Sequence, residues 1–224
     1  MQLQTLNQNY RDLSHLDRLR KLFQDFDRVL VTSSFGTTAA ILLDMLRRVR
    51  PDYPIHFIDT HYLFPETHAY REELTQRWNL NVVTVKPGFN AHLYTRMDYT
   101  WAHQPDACCY VNKVSPLEGL KTGHDLWLSG MIGGLSDSRR KRDIFEWDGH
   151  MYRFYPLVDM SAQEAEWYRI AQELPPHPLE AKGYGSVGCQ QCTVKGQGRS
   201  GRWAGTGKTE CGLHIFGNHQ PGES

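Results

Sequence analysis

The chain has 224 residues, of which 40% are hydrophobic and 22% are charged, values that are ordinary for a soluble globular protein. This length suits one domain, alone or with an appended tail, and can bury a sizeable core. Lysine plus arginine balances aspartate plus glutamate at 25 each, so no global field would attract nucleic acid or an anionic membrane. Any anion-binding site must therefore be local.

Two absences in the sequence predict a cytoplasmic location. No stretch approaches the roughly 20 apolar residues of a membrane span, and the first residues lack the basic and apolar regions of an export signal. In a reducing cytosol, clustered cysteines are metal ligands or catalytic thiols more often than structural disulfides. The five cysteines of this chain are therefore candidates for chemistry.

The predicted elements begin with an N-terminal helix over residues 1–26, where apolar residues recur at spacings of three and four. An apolar run at 29–32 predicts a buried strand. The pattern breaks at Ser33-Ser-Phe-Gly36, and a mostly apolar helix is expected over 37–48.

Strands and helices continue to alternate through the middle of the chain. We expect strands at 55–58, 81–85 and 125–129, a helix from Pro65 to about Trp78, and a further helix that carries a cysteine pair before the last strand. This alternation with short links predicts an α/β fold, in which a mostly parallel sheet has helices on both faces.

The C-terminal stretch has a different composition. Residues 180–224 hold more than half of the 19 glycines and almost no periodic apolar pattern, so burial alone cannot order them. We expect a tail that is mobile unless Cys189 and Cys192 pin it. The predicted organisation is an N-terminal helix (1–26), an α/β domain (27–180) and this tail (181–224).

Small residues at the end of the first strand indicate an anion site. Ligands of parallel α/β sheets sit beyond the carboxyl ends of the strands. There, Ser33, Ser34 and Gly36 would let backbone N–H groups and a helix dipole face a phosphate. A plain strand-to-helix turn is the alternative. Asp59 ends the second strand and could accept hydrogen bonds from ribose or adenine, or merely cap a turn.

Four cysteines form two pairs, Cys108-Cys109 and Cys189-x-x-Cys192. Two such pairs supply soft ligands for tetrahedral zinc or for an iron–sulfur cluster. Neighbouring side chains diverge, which suits the separate irons of a cluster better than one zinc ion. Cys211 stands apart in the glycine-rich tail and is the candidate nucleophile, because basic residues nearby would favour its thiolate.

Four segments together carry a resemblance to a known family. They are Phe57-Ile-Asp-Thr-His-Tyr-Leu-Phe-Pro-Glu-Thr67, Cys108-Cys-Tyr-Val-Asn-Lys-Val-Ser-Pro-Leu117, Arg199-Ser-Gly-Arg-Trp203 and Lys208-Thr-Glu-Cys-Gly-Leu-His214. These segments resemble the assimilatory adenylyl-sulfate reductases, the iron–sulfur branch of the sulfonucleotide reductases. The resemblance implies an adenine nucleotide alpha hydrolase-like fold for the α/β domain, with a mobile tail after it.

The resemblance also implies a reaction and a cofactor. A [4Fe–4S] cluster would be bound by the two cysteine pairs. Cys211 would attack the sulfur of adenosine 5′-phosphosulfate and displace AMP, and thioredoxin or glutaredoxin would release sulfite from the resulting S-sulfocysteine for cysteine biosynthesis. A homo-oligomer is compatible with the sequence. The implied substrate-binding residues are Ser33, Ser34, Gly36, Asp59, Lys113, Arg139, Arg199, Arg202 and His214.

The sequence departs from the family pattern at two places. Asn112 stands where an arginine is expected, and Gly130-Met-Ile-Gly133 lacks two expected arginines. A charge-assisted contact to an anion is worth about 1.5–3 kcal/mol, so substrate choice stays open. The alternatives are a 3′-phosphoadenylyl-sulfate reductase, a zinc-stabilised nucleotide-binding module without redox chemistry, and a relative that performs another sulfur transfer.

Overall fold

The structure is a computed structural model and describes residues 2–208 and 210–214. Its strands are β1 (Val29–Ser33), β2 (Ile55–Ile58), β3 (Val82–Val85), β4 (Leu126–Ser129), β5 (Phe145–Trp147) and β6 (Tyr152–Phe154). They form one sheet in the order β3-β2-β1-β4-β6-β5. Every neighbouring pair is parallel except β5 and β6, which are antiparallel. The α/β fold with a mostly parallel sheet is confirmed.

Helices connect the strands. They are α1 (Leu3–Arg11), α2 (His15–Asp25), α3 (Ala39–Val49), α4 (Pro65–Trp78), α5 (Phe89–Met97), α6 (Thr100–His103), α7 (Pro105–Cys109), α8 (Ser115–Lys121), α9 (Asp137–Arg140) and α10 (Ala162–Ala171). A π-helical turn, Tyr110–Val114, joins α7 to α8. The cysteine pair therefore ends a short helix between β3 and β4, as the sequence predicted.

The single N-terminal helix predicted over residues 1–26 is wrong, because two helices occupy this stretch. α1 ends at Arg11 and α2 begins at His15. The break arises from Ser14, whose side-chain oxygen accepts a hydrogen bond from the backbone N–H of Asp17 at 3.2 Å. Such a cap satisfies one of the unpaired N–H groups at a helix start.

Both N-terminal helices pack on the core of the sheet domain. Their buried apolar side chains, among them Leu6 and Leu19, belong to the main hydrophobic cluster. Arg18 is only 2% exposed; its guanidinium donates to the carbonyl of Pro156 at 3.0 Å and to the carboxylate of Asp159 at 2.6 Å. A buried, fully engaged arginine fixes α2 on the loop that follows β6.

The described part of the glycine-rich tail lies against the sheet domain. Its regular structure consists of short 3₁₀ turns at Glu180–Lys182, Gln190–Cys192 and Gly212–His214 and of isolated β-bridges. One of these bridges, antiparallel, pairs Cys189 with Leu63, and the backbone N–H of Gln190 donates to the carbonyl of Tyr62 at 2.7 Å. Long-range contacts, rather than a hydrophobic core of its own, thus hold the tail.

Candidate active site

A cavity of about 190 Å³ lies at the carboxyl edge of the sheet. Ser33, Ser34 and Gly36 line it beside the first residue of α3. Between them, Phe35 takes a left-handed conformation (φ 47°) and its N–H donates to Ser33 Oγ at 3.2 Å. The N-terminus of α3, with the positive end of its dipole, thus lies at the cavity, a common arrangement for anion binding.

The tail covers this loop. Thr37 Oγ1 donates to the carbonyl of Gly185 at 3.3 Å, and a Cβ on Gly36 would lie 3.4 Å from the carbonyl oxygen of Val187. Arg202 Nη1 donates to that same carbonyl at 3.0 Å. The predicted loop and the predicted Arg202 therefore meet in one cavity, although about 165 residues separate them in the chain.

Asp59 does not join this group. The residue is 8% exposed at the end of β2, where its Oδ1 accepts from the backbone N–H of His61 at 2.9 Å. The imidazole of His68 lies 3.8 Å from the same oxygen. Among the described residues that line the cavity, Asp59 is absent, so its contacts are those of a turn cap.

Cys211 and Lys113 are neighbours in this cavity. Both side chains line the cavity, and Lys113 belongs to the π-helical turn that follows the cysteine pair. Burial disfavours the ammonium group, but negative charge on the Cys211 thiolate and on two further cysteines outweighs burial and raises the pKa of Lys113. A charged lysine therefore lies close to Cys211 in this cavity.

Two arginines share the carboxylate of Glu210, the residue before Cys211. Arg139 donates from Nε and Nη2 at 2.7 and 3.0 Å, and Arg199 donates from Nη2 at 2.9 Å. Burial raises the pKa of Glu210, but the hydrogen bond and charge of Arg139, and the charge of Arg199, outweigh it and lower that pKa overall. One carboxylate for two guanidiniums leaves this wall of the cavity positive.

Trp203 is the common neighbour of three basic side chains. The indole is buried, at 4% exposure, and lies 4.3 Å from the guanidinium of Arg202, 5.7 Å from that of Arg199 and 5.8 Å from the ammonium of Lys208. Lys208 also pairs with Asp106 in α7. Cation–π contacts of this kind are attractive, so the tail brings its basic residues together around one aromatic side chain.

His214 stacks on Trp127 of β4, with ring centroids 5.3 Å apart and planes 12° from parallel. Both rings line the cavity. Burial, with a contribution from the charge of Arg139 and other arginines, holds the pKa of His214 well below its usual value. The imidazole is therefore neutral at pH 7, and can offer one donor and one acceptor to a ligand.

A second cavity, of about 20 Å³, is lined by all four predicted ligands, Cys108, Cys109, Cys189 and Cys192. All four are free thiols. Thr60 Oγ1 lies 3.3 Å from the sulfur of Cys189. Lys113 lines this cavity as well as the larger one, so its side chain adjoins both the cysteine quartet and the cavity of the candidate nucleophile.

Burial and the neighbouring thiols disfavour the thiolate form of two of the four cysteines. Burial and the neighbouring cysteines raise the pKa of Cys108 to about 12 and that of Cys192 to about 11. Within residues 2–208 and 210–214, no group of three or more His, Cys, Asp and Glu side chains is placed so that it could hold a metal ion. One zinc ion would need every sulfur within about 2.3 Å of itself, whereas irons at separate corners of a cluster accept ligands that are farther apart.

Asn112, which stands where an arginine was expected, makes buried contacts of its own. It is 2% exposed, and its Nδ2 donates to Thr95 Oγ1 and to the carbonyl of Cys108, each at 3.0 Å, and approaches the sulfur of Cys108 at 3.6 Å. Its Oδ1 lies 2.8 Å from Nδ1 of His92. The loss of charge expected from the sequence is thus accompanied by a buried, well-positioned amide donor.

The turn after β4 has no room for the two arginines that the family pattern shows. Ile132 is fully buried, and a Cβ on Gly133 would lie 1.8 Å from the carbonyl oxygen of Val158. Met131 and Leu135 line the cavity instead. This wall is therefore apolar, and positive charge reaches the cavity from α9, from Lys113 of the π-helical turn and from the tail.

The structure adds site residues that the sequence analysis did not predict. They are Thr37, Trp127, Trp203 and Glu210, all of which line the larger cavity. The hydrogen bond between Arg139 and Glu210 spans 71 residues of sequence, so no local pattern could have indicated it. For Trp127, the only available signal was its position in a strand that ends at the ligand-binding edge.

The fold and the site define an α/β protein with a cation-lined cavity at the carboxyl edge of its sheet and a cysteine quartet beside it. Similarity to known proteins identifies the family. The chain belongs to the phosphoadenosine phosphosulfate reductase domain family, whose sequence profile matches residues 28–195. The resemblance found in the sequence is thereby confirmed.

Two relatives illustrate the similarity. The chain is 35% identical over 199 residues to an adenosine 5′-phosphosulfate reductase of Bacillus cytotoxicus, covering 84% of each chain. It is 33% identical over 219 residues to a protein of the same name from Halalkalibacterium halodurans, covering 93% of this chain and 95% of that one. The crystal structure of phosphoadenylyl-sulfate reductase from Candida auris has the same fold, with a TM-score of 0.75 at 22% identity, covering 86% of this chain and 96% of that chain.

In the part of the chain that the structure describes, no helix is both long and apolar enough to cross a membrane.

Proposed function

We propose that this protein is an adenylyl-sulfate reductase, which converts adenosine 5′-phosphosulfate to sulfite and AMP in sulfate assimilation. One observation supports this most directly: Cys211 opens into the same cavity as the loop at the N-terminus of α3, beside the ammonium of Lys113. A nucleophile, a cation and a phosphate-binding loop in one cavity are what attack on a phosphosulfate requires. The names of the relatives agree with this assignment.

The proposed chemistry has two steps. In the first, the thiolate of Cys211 attacks the sulfur of the substrate, the bond between this sulfur and the bridging oxygen breaks, and AMP leaves with the electron pair. In the second, a thiolate of the reductant attacks Sγ of Cys211, sulfite leaves, and the second thiol of the reductant resolves the mixed disulfide. The enzyme returns to its thiol form and the reductant is oxidised to a disulfide.

Residues of the larger cavity would position the substrate. The loop of Ser33, Ser34 and Gly36 and the dipole of α3 would receive the phosphate. Arg199 and Arg202 would bring positive charge to the oxygens on which charge develops as AMP departs. Arg139 and Lys113 would add to this field, and neutral His214 would offer a hydrogen bond. Asp59 is left with a structural role.

We propose further that the quartet Cys108, Cys109, Cys189 and Cys192 holds a [4Fe–4S] cluster. The chemistry of the donor set supports it, because four free thiols line one cavity and thiolates are the usual ligands of such clusters. When bound, the cluster would order the segments that carry its ligands and set the local electrostatic field, without passing electrons to the substrate. Thr60 and Asn112 would then contact ligand sulfurs.

A small dithiol protein, thioredoxin or glutaredoxin, is the proposed reductant, because the second step needs two thiols. The cytoplasm is the proposed location, because reducing compartments keep cysteines in the thiol form and all five cysteines are free. We also propose that the protein can form a homo-oligomer, which has no role in the chemistry.

The test is sulfite release from each sulfonucleotide with thioredoxin present. We expect brown protein that contains iron, sulfite from adenosine 5′-phosphosulfate, and no sulfite from Cys211→Ser protein that retains its iron. Cys192→Ser is the matched control, since it removes a ligand and should lose iron. Normal turnover of Cys211→Ser would contradict the nucleophile. Colourless protein with one zinc and no sulfite would contradict the whole proposal in favour of a nucleotide-binding module, and a preference for the 3′-phosphorylated substrate would correct the substrate alone.

A further inference from the structure

Three arginines of the sheet domain hold the end of the tail that carries Cys211. Arg139, at the end of α9, pairs with Glu210 as described above. Arg142 Nη2 donates to the carbonyl of His214 at 2.5 Å. Arg153 of β6 donates from Nη1 to the carbonyl of Leu213 at 3.1 Å. The last two arginines thus contact backbone oxygens of the short turn that follows Cys211.

Arg142 and Arg153 are themselves fixed by acidic partners. Arg142 pairs with Glu146 at 2.9 Å, and Arg153 pairs with Asp148 at 3.1 Å. Both arginine side chains are largely buried, at 14% and 8% exposure, and the guanidinium of Arg153 lies 5.4 Å from the ring centre of Trp127. Each side chain therefore has a partner outside the tail that can hold its orientation, so little side-chain entropy should be lost on docking.

The turn needs such donors. The last carbonyls of a helical turn have no N–H partner within the turn, and an arginine can donate to them. Leu213 also packs its side chain on the small core cluster that contains Trp127 and Leu117. A Cβ on Gly212 would lie 3.8 Å from Cβ of Cys109. Docking of the turn thus fixes the backbone on the C-terminal side of Cys211 against the cysteine quartet.

We propose that Arg142 and Arg153 are positioning residues, which dock the turn Gly212–His214 and thereby place Cys211 beside Lys113 in the substrate cavity. Neither arginine lines that cavity among the described residues, so they would act through the tail and not on the substrate. The kinetic consequences of this proposal rest on the proposed function, whereas the docking of the turn by the two arginines is independent of it. Cys211 is half-buried in the docked tail, whereas a protein reductant must reach its sulfur.

The two half-reactions should therefore respond in opposite directions when docking weakens. Sulfonation of Cys211 needs the docked tail, because the nucleophile must meet the substrate in the cavity. Attack by the reductant needs the tail undocked. A variant that favours undocking should slow the first step and leave the second unchanged or faster, a split that a general loss of stability would not produce.

The experiment compares Arg142→Met with Glu146→Gln in the full chain. Arg142→Met removes the donor to the His214 carbonyl, whereas Glu146→Gln disturbs the ion pair of Arg142 but keeps that donor. The readout that needs no substrate is the rate at which iodoacetamide alkylates Cys211, followed by mass spectrometry of the tail peptide. We expect the rate to rise by about tenfold in Arg142→Met, the order expected for loss of a charge-assisted hydrogen bond, and to change less than twofold in Glu146→Gln.

Arg153→Gln provides a second variant, in case Arg142→Met fails to fold, and should raise the alkylation rate in the same way. Single-turnover sulfonation should be slower in both arginine variants than in the wild-type protein. The rate of sulfite release from presulfonated protein should be unchanged or higher. Equal alkylation rates in wild-type and arginine variants, or an equal increase in Glu146→Gln, would overturn the proposal. If the wild-type protein takes up no sulfonate, the proposed function fails, yet the alkylation rates still test the docking.

Discussion

Glu210 offers the sharpest test of the site, because Glu210→Ala leaves two guanidiniums close together without their shared carboxylate. In the wild-type protein, Glu210 is 6% exposed and its carboxylate accepts three hydrogen bonds from Arg139 and Arg199. Both arginine side chains are largely buried, at 13% and 15% exposure. Burial and the charge of Arg139 already lower the pKa of Arg199 to about 10, a sign of the repulsion that the carboxylate offsets.

The expected loss of unfolding free energy in Glu210→Ala follows from the burial of this ion pair. Removing one partner of a buried ion pair typically costs about 3–5 kcal/mol, because a charge is left without compensation. Glu210→Gln keeps the shape and one acceptor oxygen, so the expected loss is about 1.5–3 kcal/mol. Glu66→Gln is the matched control. Glu66 pairs with Lys182 on the surface at 2.7 Å, and an exposed pair of this kind is worth at most about 1 kcal/mol.

The assay is urea unfolding, with and without added sulfate or AMP. An anion that binds the two arginines should stabilise Glu210→Ala more than it stabilises the wild-type protein, because in the variant the anion supplies the missing negative charge. The pH dependence should also change. The pKa of Glu210 is lowered on folding, so its contribution is complete above the unfolded pKa and is lost as the pH falls through the folded pKa. Glu210→Gln should lack this acid-induced loss.

Two results would refute this reasoning. One is a Glu210→Ala protein whose free energy of unfolding lies within about 1 kcal/mol of the wild-type value, like the surface control. The other is an identical stabilisation by anions in the variant and in the wild-type protein. Either result would mean that the arginines find other partners, and that Glu210 does not organise the positive wall of the cavity.

Three further predictions concern other parts of the structure. Asn112→Ala removes the amide that contacts Cys108, so a chelator should extract iron from the proposed cluster faster, by about tenfold, as followed by absorbance; an unchanged rate would show that Asn112 does not stabilise the proposed cluster. Gly133→Ala would place its methyl group 1.8 Å from the carbonyl oxygen of Val158 and should lower the free energy of unfolding in urea by about 3 kcal/mol, whereas a wild-type value would show that the turn can move. Burial lowers the pKa of His177 to about 4, and the unfolded chain binds that proton at higher pH, so stability should fall as the pH drops from 6.5 toward 4; His177→Asn should flatten this decline, and an unchanged slope would assign it to other groups.

Much of the sheet was predictable because local signals agree with the fold. The strand at 55–58 and the helix Pro65–Trp78 have the predicted bounds, since prolines mark where the first begins and where the second opens. The N-terminal helix was mispredicted because its apolar spacing continues through a break that Ser14 creates by capping. β5 and β6 have only three residues each, too few to show a period.

The site was predictable as a set of residue types but not as an arrangement. The spacing of the cysteines indicated a quartet and a separate Cys211, and the quartet does line one cavity. The role of Asp59 could not be decided locally, because a strand-end carboxylate can equally cap a turn. Likewise, Asn112 could be recognised as a lost charge, but its amide contacts depend on Thr95 and His92, which another helix supplies.

The most direct measurement of the central claim is the intact mass of the tail peptide after mixing with adenosine 5′-phosphosulfate in the absence of any reductant. If Cys211 is the nucleophile, the peptide should gain one sulfonate per chain on Cys211, which a dithiol then removes as sulfite. A peptide of unmodified mass from iron-replete protein, or a sulfonate found on one of the four quartet cysteines instead, would contradict it.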